Sequence, residues 1–394
     1  MEKSGSAGER GLRRRRGETM PILNLLIKPA SGSCNMRCRY CFYADEGKNR
    51  EQATYGIMSE ETMHAMVDRA MRFADRECMM MFQGGEPTLA GLSFFQSLVE
   101  YVSAHPNPKN IRVRYAIQTN GYVMDEEWAS FLAKHHFLVG ISLDGGKEVH
   151  DRYRVDAQGK GTYNRVMSAI RLLEKHRVEY NILTVVTATT ARSGRKIYEF
   201  FKKNGFGWQQ YIECLDPIGE IPGNQEFSLT PQRLEQFLKD VFDAWYLDWK
   251  AGRYVYNRYF ENLLMILNRQ MPENCSMRGV CGKQWVVEAD GSVYPCDFYA
   301  LDEWKLGNLN SDEFEQMDKM RETLGFVKWS EQVPDECRTC SWYGLCRNGC
   351  RRNREPVTAQ GTNVNYFCSA YKHFFEYAYP RLFEVWRTSV SRRR

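Results

Sequence analysis

The chain has 394 residues, 43% of them hydrophobic and 26% charged, the balance of a folded protein too long for one ordinary core. No stretch approaches the ~18 consecutive apolar residues of a membrane span. The net charge is +5, but Arg13–Arg16 and Arg392–Arg394 supply more than that, so the remaining body has no broad basic face for nucleic acid.

Residues 1–19 are rich in Gly, Ser, Glu and Arg and nearly free of apolar side chains, the composition of a disordered tail. Met20 would serve as a start, because everything informative follows it. From Leu23 onward, apolar strands alternate with amphipathic segments. Strands are expected at Leu23–Lys28, Met79–Gln83, Arg112–Gln118, Phe137–Leu143, Tyr180–Val186 and Trp208–Ile212. Helices are expected over Glu60–Phe73, with Ser59 as N-cap, and over Ser93–His105, Asp125–His135, Thr162–His176 and Arg195–Asn204. Six such repeats imply a parallel sheet of β-α-β units, too few for a closed eight-fold barrel. Glu213–Phe227, rich in Pro and Gly, reads as a linker. Thr230–Lys250, capped by Thr230, and Tyr256–Asn268 read as helices whose aromatic residues form core and docking surface.

Chemistry in parallel α/β sheets gathers at the carboxyl ends of the strands, and there the chain turns polar. Gln83-Gly84-Gly85-Glu86-Pro87 follows the second strand; its two glycines let backbone approach a ligand closely. Thr119-Asn120-Gly121 ends the third. Ser142-Leu-Asp144-Gly145 ends the fourth, with His150-Asp151 and Arg154 close behind.

Thirteen cysteines call for an explanation. Arg13–Arg16 followed by Pro21–Ile27 has the outline of a twin-arginine leader, but the apolar run is short, Lys28 ends it and no small-residue cleavage site follows. The expectation is a cytoplasmic chain, in which clustered thiols are metal ligands. Cys34-x3-Cys38-x2-Cys41 comes directly after the first strand. A cubane [4Fe–4S] cluster takes one ligand on each iron, so three thiols cap three irons and leave the fourth open to a small molecule. Zinc would want four ligands, commonly in C-x2-C pairs. Eight more thiols follow, Cys275, Cys281, Cys296, Cys337, Cys340, Cys346, Cys350 and Cys368, enough for two complete cubanes or two zinc sites. Trp285–Glu288 and Ser292–Tyr294 flank Ala289-Asp290-Gly291, a hairpin signal that delivers Cys296. Cys78 and Cys214 stand alone beside strands and read as small core residues.

The C-x3-C-x-aromatic-C form, with Tyr40 as the aromatic and G-G-E-P one strand later, resembles the radical S-adenosylmethionine (SAM) enzymes. Cys337-x2-Cys340-x5-Cys346-x3-Cys350, with Cys368, resembles their C-terminal SPASM domain. Closer still, Leu26-Ile-Lys-Pro-Ala-Ser31, Phe82-Gln-Gly-Gly-Glu-Pro-Thr-Leu-Ala90, Tyr294-Pro-Cys-Asp-Phe-Tyr299, Leu345-Cys-Arg-Asn-Gly-Cys-Arg-Arg352 and Phe374-Phe-Glu-Tyr-Ala-Tyr-Pro-Arg381 resemble the anaerobic sulfatase-maturating enzymes. Those enzymes oxidise one Cys or Ser of a sulfatase to Cα-formylglycine.

The resemblance implies an α/β fold, a partial (β/α)6 radical SAM barrel over residues 20–227. A helical connection over 228–270, a SPASM-type domain over 271–381 and a basic tail over 382–394 complete it. It implies three [4Fe–4S] clusters and SAM. Cys34, Cys38 and Cys41 would hold the SAM-binding cluster; Cys275, Cys281, Cys296 and Cys350 one auxiliary cluster; Cys337, Cys340, Cys346 and Cys368 the other. Spacing by itself leaves that division open. SAM contacts fall on Tyr40, Gly84, Gly85, Glu86, Ser142 and Arg154, with the G-G-E-P stretch taking the amino group and Arg154 suited to the carboxylate. Tyr43 and Gln83 would lie near SAM and substrate, or simply pack the cavity wall. The family's chemistry removes a hydrogen from Cβ of the target residue, after which an electron and a proton must leave. Asp297, directly after Cys296, matches the family's proposed base; otherwise it braces a turn by accepting backbone N–H groups. The implied partners are a sulfatase polypeptide with a C/S-x-P/A-x-R motif and an electron donor such as flavodoxin or ferredoxin. The alternatives are a SPASM peptide modifier forming a thioether or C–C crosslink, and a metal-binding electron carrier without turnover.

Overall fold

A computed structural model describes residues 22–355 and 363–391. The expected tail over 1–19, Met20 and both arginine runs lie outside the described residues.

Six strands, β1 (Leu23–Ile27), β2 (Glu77–Phe82), β3 (Arg112–Thr119), β4 (Leu138–Ser142), β5 (Tyr180–Val186) and β6 (Trp208–Glu213), pair in parallel in chain order. Each stands within a residue or two of its sequence expectation. Helices α1 (Phe42–Lys48), α2 (Glu60–Phe73), α3 (Leu92–Ala104), α4 (Glu126–Lys134), α5 (Lys147–Tyr153), α6 (Tyr163–Lys175) and α7 (Gly194–Lys203) connect them. Ser59 caps α2, its Oγ accepting from Thr62 N at 3.2 Å, a bond worth ~1 kcal/mol. The short helices α1 and α5 were not expected, because two turns leave too little periodicity to read. Alternation along the strands sends Leu23, Leu25 and Ile27, then Cys78, Met80 and Phe82, into one core with the apolar faces of α2, α3 and α4.

Two expectations are corrected. The sheet does not stop at six strands: its order is β10-β9-β8-β1-β2-β3-β4-β5-β6-β7. Beyond β6, β7 (Tyr256–Asn257) pairs with Trp208–Gln209, in residues expected to be helical. The Asn257 side chain accepts from Tyr259 N and Phe260 N, so the helix opens only at Arg258. At the other edge, β8 (Trp285–Val287), β9 (Ser292–Tyr294) and β10 (Gly307–Asn308) continue the sheet, with β8 parallel to β1 and Leu25 opposite Trp285. The boundary placed at residue 271 is therefore no seam in the sheet. Without β8, β1 would be an open edge of the kind folds cover.

The second correction concerns the C-terminus. A helix runs over Cys368–Ser391, through most of the residues expected to be tail. Leu382 and Val385 are 1% and 2% exposed and continue the buried face of Phe374, Phe375 and Ala378. They pack against α8 (Pro231–Lys250), with Arg381 2.9 Å from Asp243 and Lys250 3.0 Å from Glu384. None of the described helices is long and apolar enough to cross a membrane.

Candidate active site

The three-thiol loop lies between the end of β1 and α1, whose N-cap is Cys41. It is tied to the segment after α5 by Arg37 N to Val155 O at 2.8 Å and Arg39 N to Tyr153 O at 3.1 Å. Asn120 Nδ2, just past β3, donates to Asn35 Oδ1 at 2.8 Å and lies 3.7 Å from Cys34 Sγ. Burial pushes the Cys34 thiol up to about 11 and the Cys38 thiol up to about 12, and neighbouring thiols of the loop add to it. Such thiols hold their protons until a metal displaces them.

No disulfide joins any of the thirteen cysteines. Cys337, Cys340, Cys346 and Cys368 line one cavity of about 30 Å³. Cys275, Cys281 and Cys350 form the electrostatic surroundings of Cys296, whose own thiol is held protonated chiefly by burial. Cys78 and Cys214 lie in the hydrophobic cores. Among the described residues, no three His, Cys, Asp or Glu side chains close on a point as they would around one ion. Thiol sets of this kind fit iron–sulfur cores, and the three-thiol loop lacks the fourth ligand that a structural zinc takes.

A cavity of about 350 Å³ opens at the carboxyl ends of the strands. It is lined by Cys34, Cys38 and Cys41 and by every residue expected near SAM or substrate: Tyr40, Tyr43, Gln83, Gly84, Gly85, Glu86, Ser142, Arg154 and Asp297. The glycine pair serves a contact the sequence did not suggest. Gly84 has φ +114°, and a Cβ on Gly85 would sit 2.0 Å from Ser33 O. The loop docks on backbone leading into Cys34, with Gly85 N to Ser31 O at 2.9 Å and Glu86 N to Ser33 O at 2.8 Å.

Glu86, which lines the same cavity, is held on both of its carboxylate oxygens. Its Oε1 accepts from Thr88 Oγ1 at 2.6 Å, Thr119 Oγ1 at 2.7 Å and Thr88 N at 3.2 Å, and its Oε2 from Asn120 N at 2.7 Å. Held at both oxygens, the carboxylate braces the ends of β2 and β3. Arg154 is likewise anchored: its Nε donates to Asp144 Oδ2 at 2.9 Å, an oxygen that also accepts from Tyr40 OH.

Asp297 opens the short turn after β9 and Cys296. Its Oδ2 accepts from Tyr43 OH and from Gln83 Nε2, both at 2.7 Å. Both donors are cavity-wall side chains of the barrel, not backbone of its own turn. Its Oδ1 is buried without a hydrogen-bond partner and faces Lys28 Nζ at 3.6 Å. Burial pushes the Asp297 carboxyl above its ordinary range, against the pull of Lys28 and Tyr43.

Behind Asp297 lies a buried charge network that sequence reasoning missed. Lys28 Nζ is 2.8 Å from Glu46 and 3.4 Å from Glu288, and stands 4.9 Å over the Tyr43 ring. Arg50 reaches Glu288 at 2.8 Å, and Glu46 Oε1 accepts from Ala300 N at 2.9 Å. Burial raises Glu46 to about 7. Burial also works against the charge of Glu288, but Lys28 and Arg50 outweigh it and hold that carboxyl below its usual range. The only signal in the sequence was Lys28 at the end of the apolar run, read there as evidence against a leader.

A three-thiol loop after the first strand of a parallel barrel, with eight thiols beyond the last, defines a radical SAM enzyme with an auxiliary iron–sulfur domain. Residues 29–201 match the radical SAM superfamily, and residues 275–341 match an iron–sulfur cluster-binding domain, SPASM. The chain is 47% identical to the cysteine-type anaerobic sulfatase-maturating enzyme of Clostridium novyi (strain NT), over 95% of this chain and 100% of that one. It is 29% identical to the serine-type enzyme of Bacteroides thetaiotaomicron, over 91% and 90% of the two chains. The solved structure of native anSMEcpe with bound AdoMet and Cp18Cys peptide matches with a TM-score of 0.89 and 46% identity, over 93% of this chain and 99% of that one. The chain belongs to the anaerobic sulfatase-maturating enzymes.

Proposed function

We propose that this enzyme oxidises a cysteine residue of a sulfatase polypeptide to Cα-formylglycine. One observation carries the reading: Asp297 Oδ2, gripped by Tyr43 and Gln83, lines the same cavity as the three-thiol loop. Cysteine rather than serine as target is supported by 47% identity to a cysteine-type enzyme against 29% to a serine-type one.

Cys34, Cys38 and Cys41 are assigned to the SAM-binding [4Fe–4S] cluster. Cys275, Cys281, Cys296 and Cys350 are assigned to one auxiliary cluster, and Cys337, Cys340, Cys346 and Cys368 to the other, making three. When bound, the first cluster and SAM supply the 5′-deoxyadenosyl radical that takes hydrogen from Cβ of the target. Tyr40, the Gly84–Gly85 backbone, Ser142 and Arg154 surround SAM, with Asp144 fixing the Arg154 fork. Asp297 accepts the target thiol's proton on its carboxylate. Tyr43 and Gln83 hold its Oδ2 in place, and Lys28 favours the carboxylate before the proton arrives. One electron must also leave the target, for which an iron–sulfur centre would be the acceptor; loss of the hydrogen atom, proton and electron gives a thioaldehyde, which water hydrolyses to the aldehyde with release of sulfide. The sulfatase enters as an extended segment, and a flavodoxin or ferredoxin in the cytoplasm supplies the electrons for SAM cleavage.

The test is an anaerobic incubation with SAM, a reductant and C-x-P-x-R or S-x-P-x-R peptides, read by mass spectrometry. Aldehyde on the cysteine peptide with 5′-deoxyadenosine is expected, and Asp297→Asn should keep 5′-deoxyadenosine while losing the aldehyde. Full aldehyde yield from that variant would remove Asp297 from the mechanism. A crosslinked peptide, or 5′-deoxyadenosine with both peptides unchanged, would refute sulfatase maturation.

A further inference from the structure

Arg354 is 1% exposed, and among the described residues no carboxylate pairs with it. Its guanidinium instead meets four backbone carbonyls: Nε to Asn348 O at 3.0 Å, Nη1 to Ser330 O at 2.9 Å, and Nη2 to Gly279 O at 3.0 Å and Gly349 O at 2.8 Å. A buried cation without an anion is costly, so its surroundings should contain the missing negative charge.

Three of those carbonyls belong to loops between thiols, and the fourth to a residue hydrogen-bonded to Cys281. Gly279 lies between Cys275 and Cys281, while Asn348 and Gly349 lie between Cys346 and Cys350. Ser330 accepts from Cys281 N at 2.9 Å through its hydroxyl. Asn348 is tied onward to the Cys368 segment: its Oδ1 accepts from Asn365 N at 2.8 Å, and Asn365 O accepts from Cys368 N at 2.9 Å. Gly279, Asn348 and Gly349 have φ of 82°, 64° and 61°, left-handed backbone that is strained for Asn348 and needs support. Cys281 and Cys350 of one thiol set and Cys337 of the other all act on the Arg354 charge.

We infer that Arg354 is a positioning residue shared by the two four-thiol sites: its guanidinium ties their loops together and supplies both with one countercharge, so that the two sites load as a unit. Anionic four-thiolate clusters provide the charge that this arginine lacks, and a planar fork with five donors is the group that can serve four carbonyls at once. The inference rests on the assignment of the eight thiols to two auxiliary clusters.

The test is anaerobic reconstitution of the full chain with iron and sulfide, for wild type, Arg354→Lys and Arg354→Met. Iron and sulfide content, Mössbauer spectra and cluster midpoint potentials are measured, with SAM cleavage as a check on the three-thiol site. Arg354→Met should fall from the three-cluster to the one-cluster iron level, losing both auxiliary signals together while still producing 5′-deoxyadenosine. Arg354→Lys keeps the charge but has fewer donors; it should load both auxiliary sites less fully and to equal extents, with wild-type potentials in the clusters that form. Lysine is the informative variant if the methionine chain does not fold. Wild-type iron content and potentials in either variant would overturn the inference, as would loss of one auxiliary cluster with the other intact. A wild-type chain that never exceeds one cluster would overturn the auxiliary-cluster assignment itself, and this inference with it.

Discussion

Lys28→Met removes the only cation that, among the described residues, touches Asp297 and keeps most of the side-chain volume. Lys28 Nζ stands 2.8, 3.4 and 3.6 Å from three carboxylates. At an effective dielectric of ~20, unit charges at such distances attract by roughly 5–6 kcal/mol per pair. Desolvation of the buried ammonium and carboxylates cancels most of this. Truncating one partner of a buried ionic group costs ~3–5 kcal/mol, because the remaining charges stay buried and unpaired. After the change, Glu46 and Glu288 keep Arg50 while Asp297 loses its cation, and the folded chain relieves the excess negative charge by taking up protons. A protonated Asp297 cannot accept another. The variant should therefore melt several degrees below wild type under anaerobic conditions, and its yield of aldehyde per 5′-deoxyadenosine should fall. SAM cleavage alone should persist, since Lys28 is not among the residues lining the main cavity. Wild-type melting together with an unchanged aldehyde yield would refute the reasoning.

Three further outcomes follow from the packing and charges. Gly85→Ala places a Cβ 2.0 Å from Ser33 O, a clash with backbone that costs ~3 kcal/mol or more; equilibrium dialysis should show SAM binding lost. Leu382→Ala should destabilise the chain by ~2–5 kcal/mol in chemical denaturation, whereas truncation in a solvated tail would change nothing. Glu46 titrates at about 7 in the folded chain against an ordinary 4.5, so its proton stabilises the fold fully below 4.5 and that stabilisation, ~3 kcal/mol, is lost as pH rises through about 7. Unfolding measured from pH 6 to 8 should show stability falling in wild type and a flatter profile in Glu46→Gln; equal slopes would assign the pH dependence elsewhere.

What could be read in the chain and what could not divide along sequence distance. Tyr180–Val186 was legible because a β-branched run bounded by polar residues has few other ways to fold. The three-thiol loop was legible because its spacing is local. The orientation of Glu86 was not: G-G-E-P marks a strand end, but nothing in it tells whether the carboxylate faces a ligand or the neighbouring strand. The helix through Leu382 and Val385 was obscured by the arginines after it, although both residues continue an apolar face at helical spacing. Least legible was the pairing of β8 with β1, a parallel contact between segments from opposite ends of the chain. That pairing builds the site. It carries Glu288 past the end of Ile27, beside Lys28, and the return strand delivers Cys296 and Asp297 to the wall where Tyr43 and Gln83 wait. Asp297, the proposed base, therefore reaches the cavity only because the auxiliary domain completes the barrel sheet, and a chain cut before residue 271 would keep the three-thiol loop while losing Asp297, Glu288 and the cover on β1.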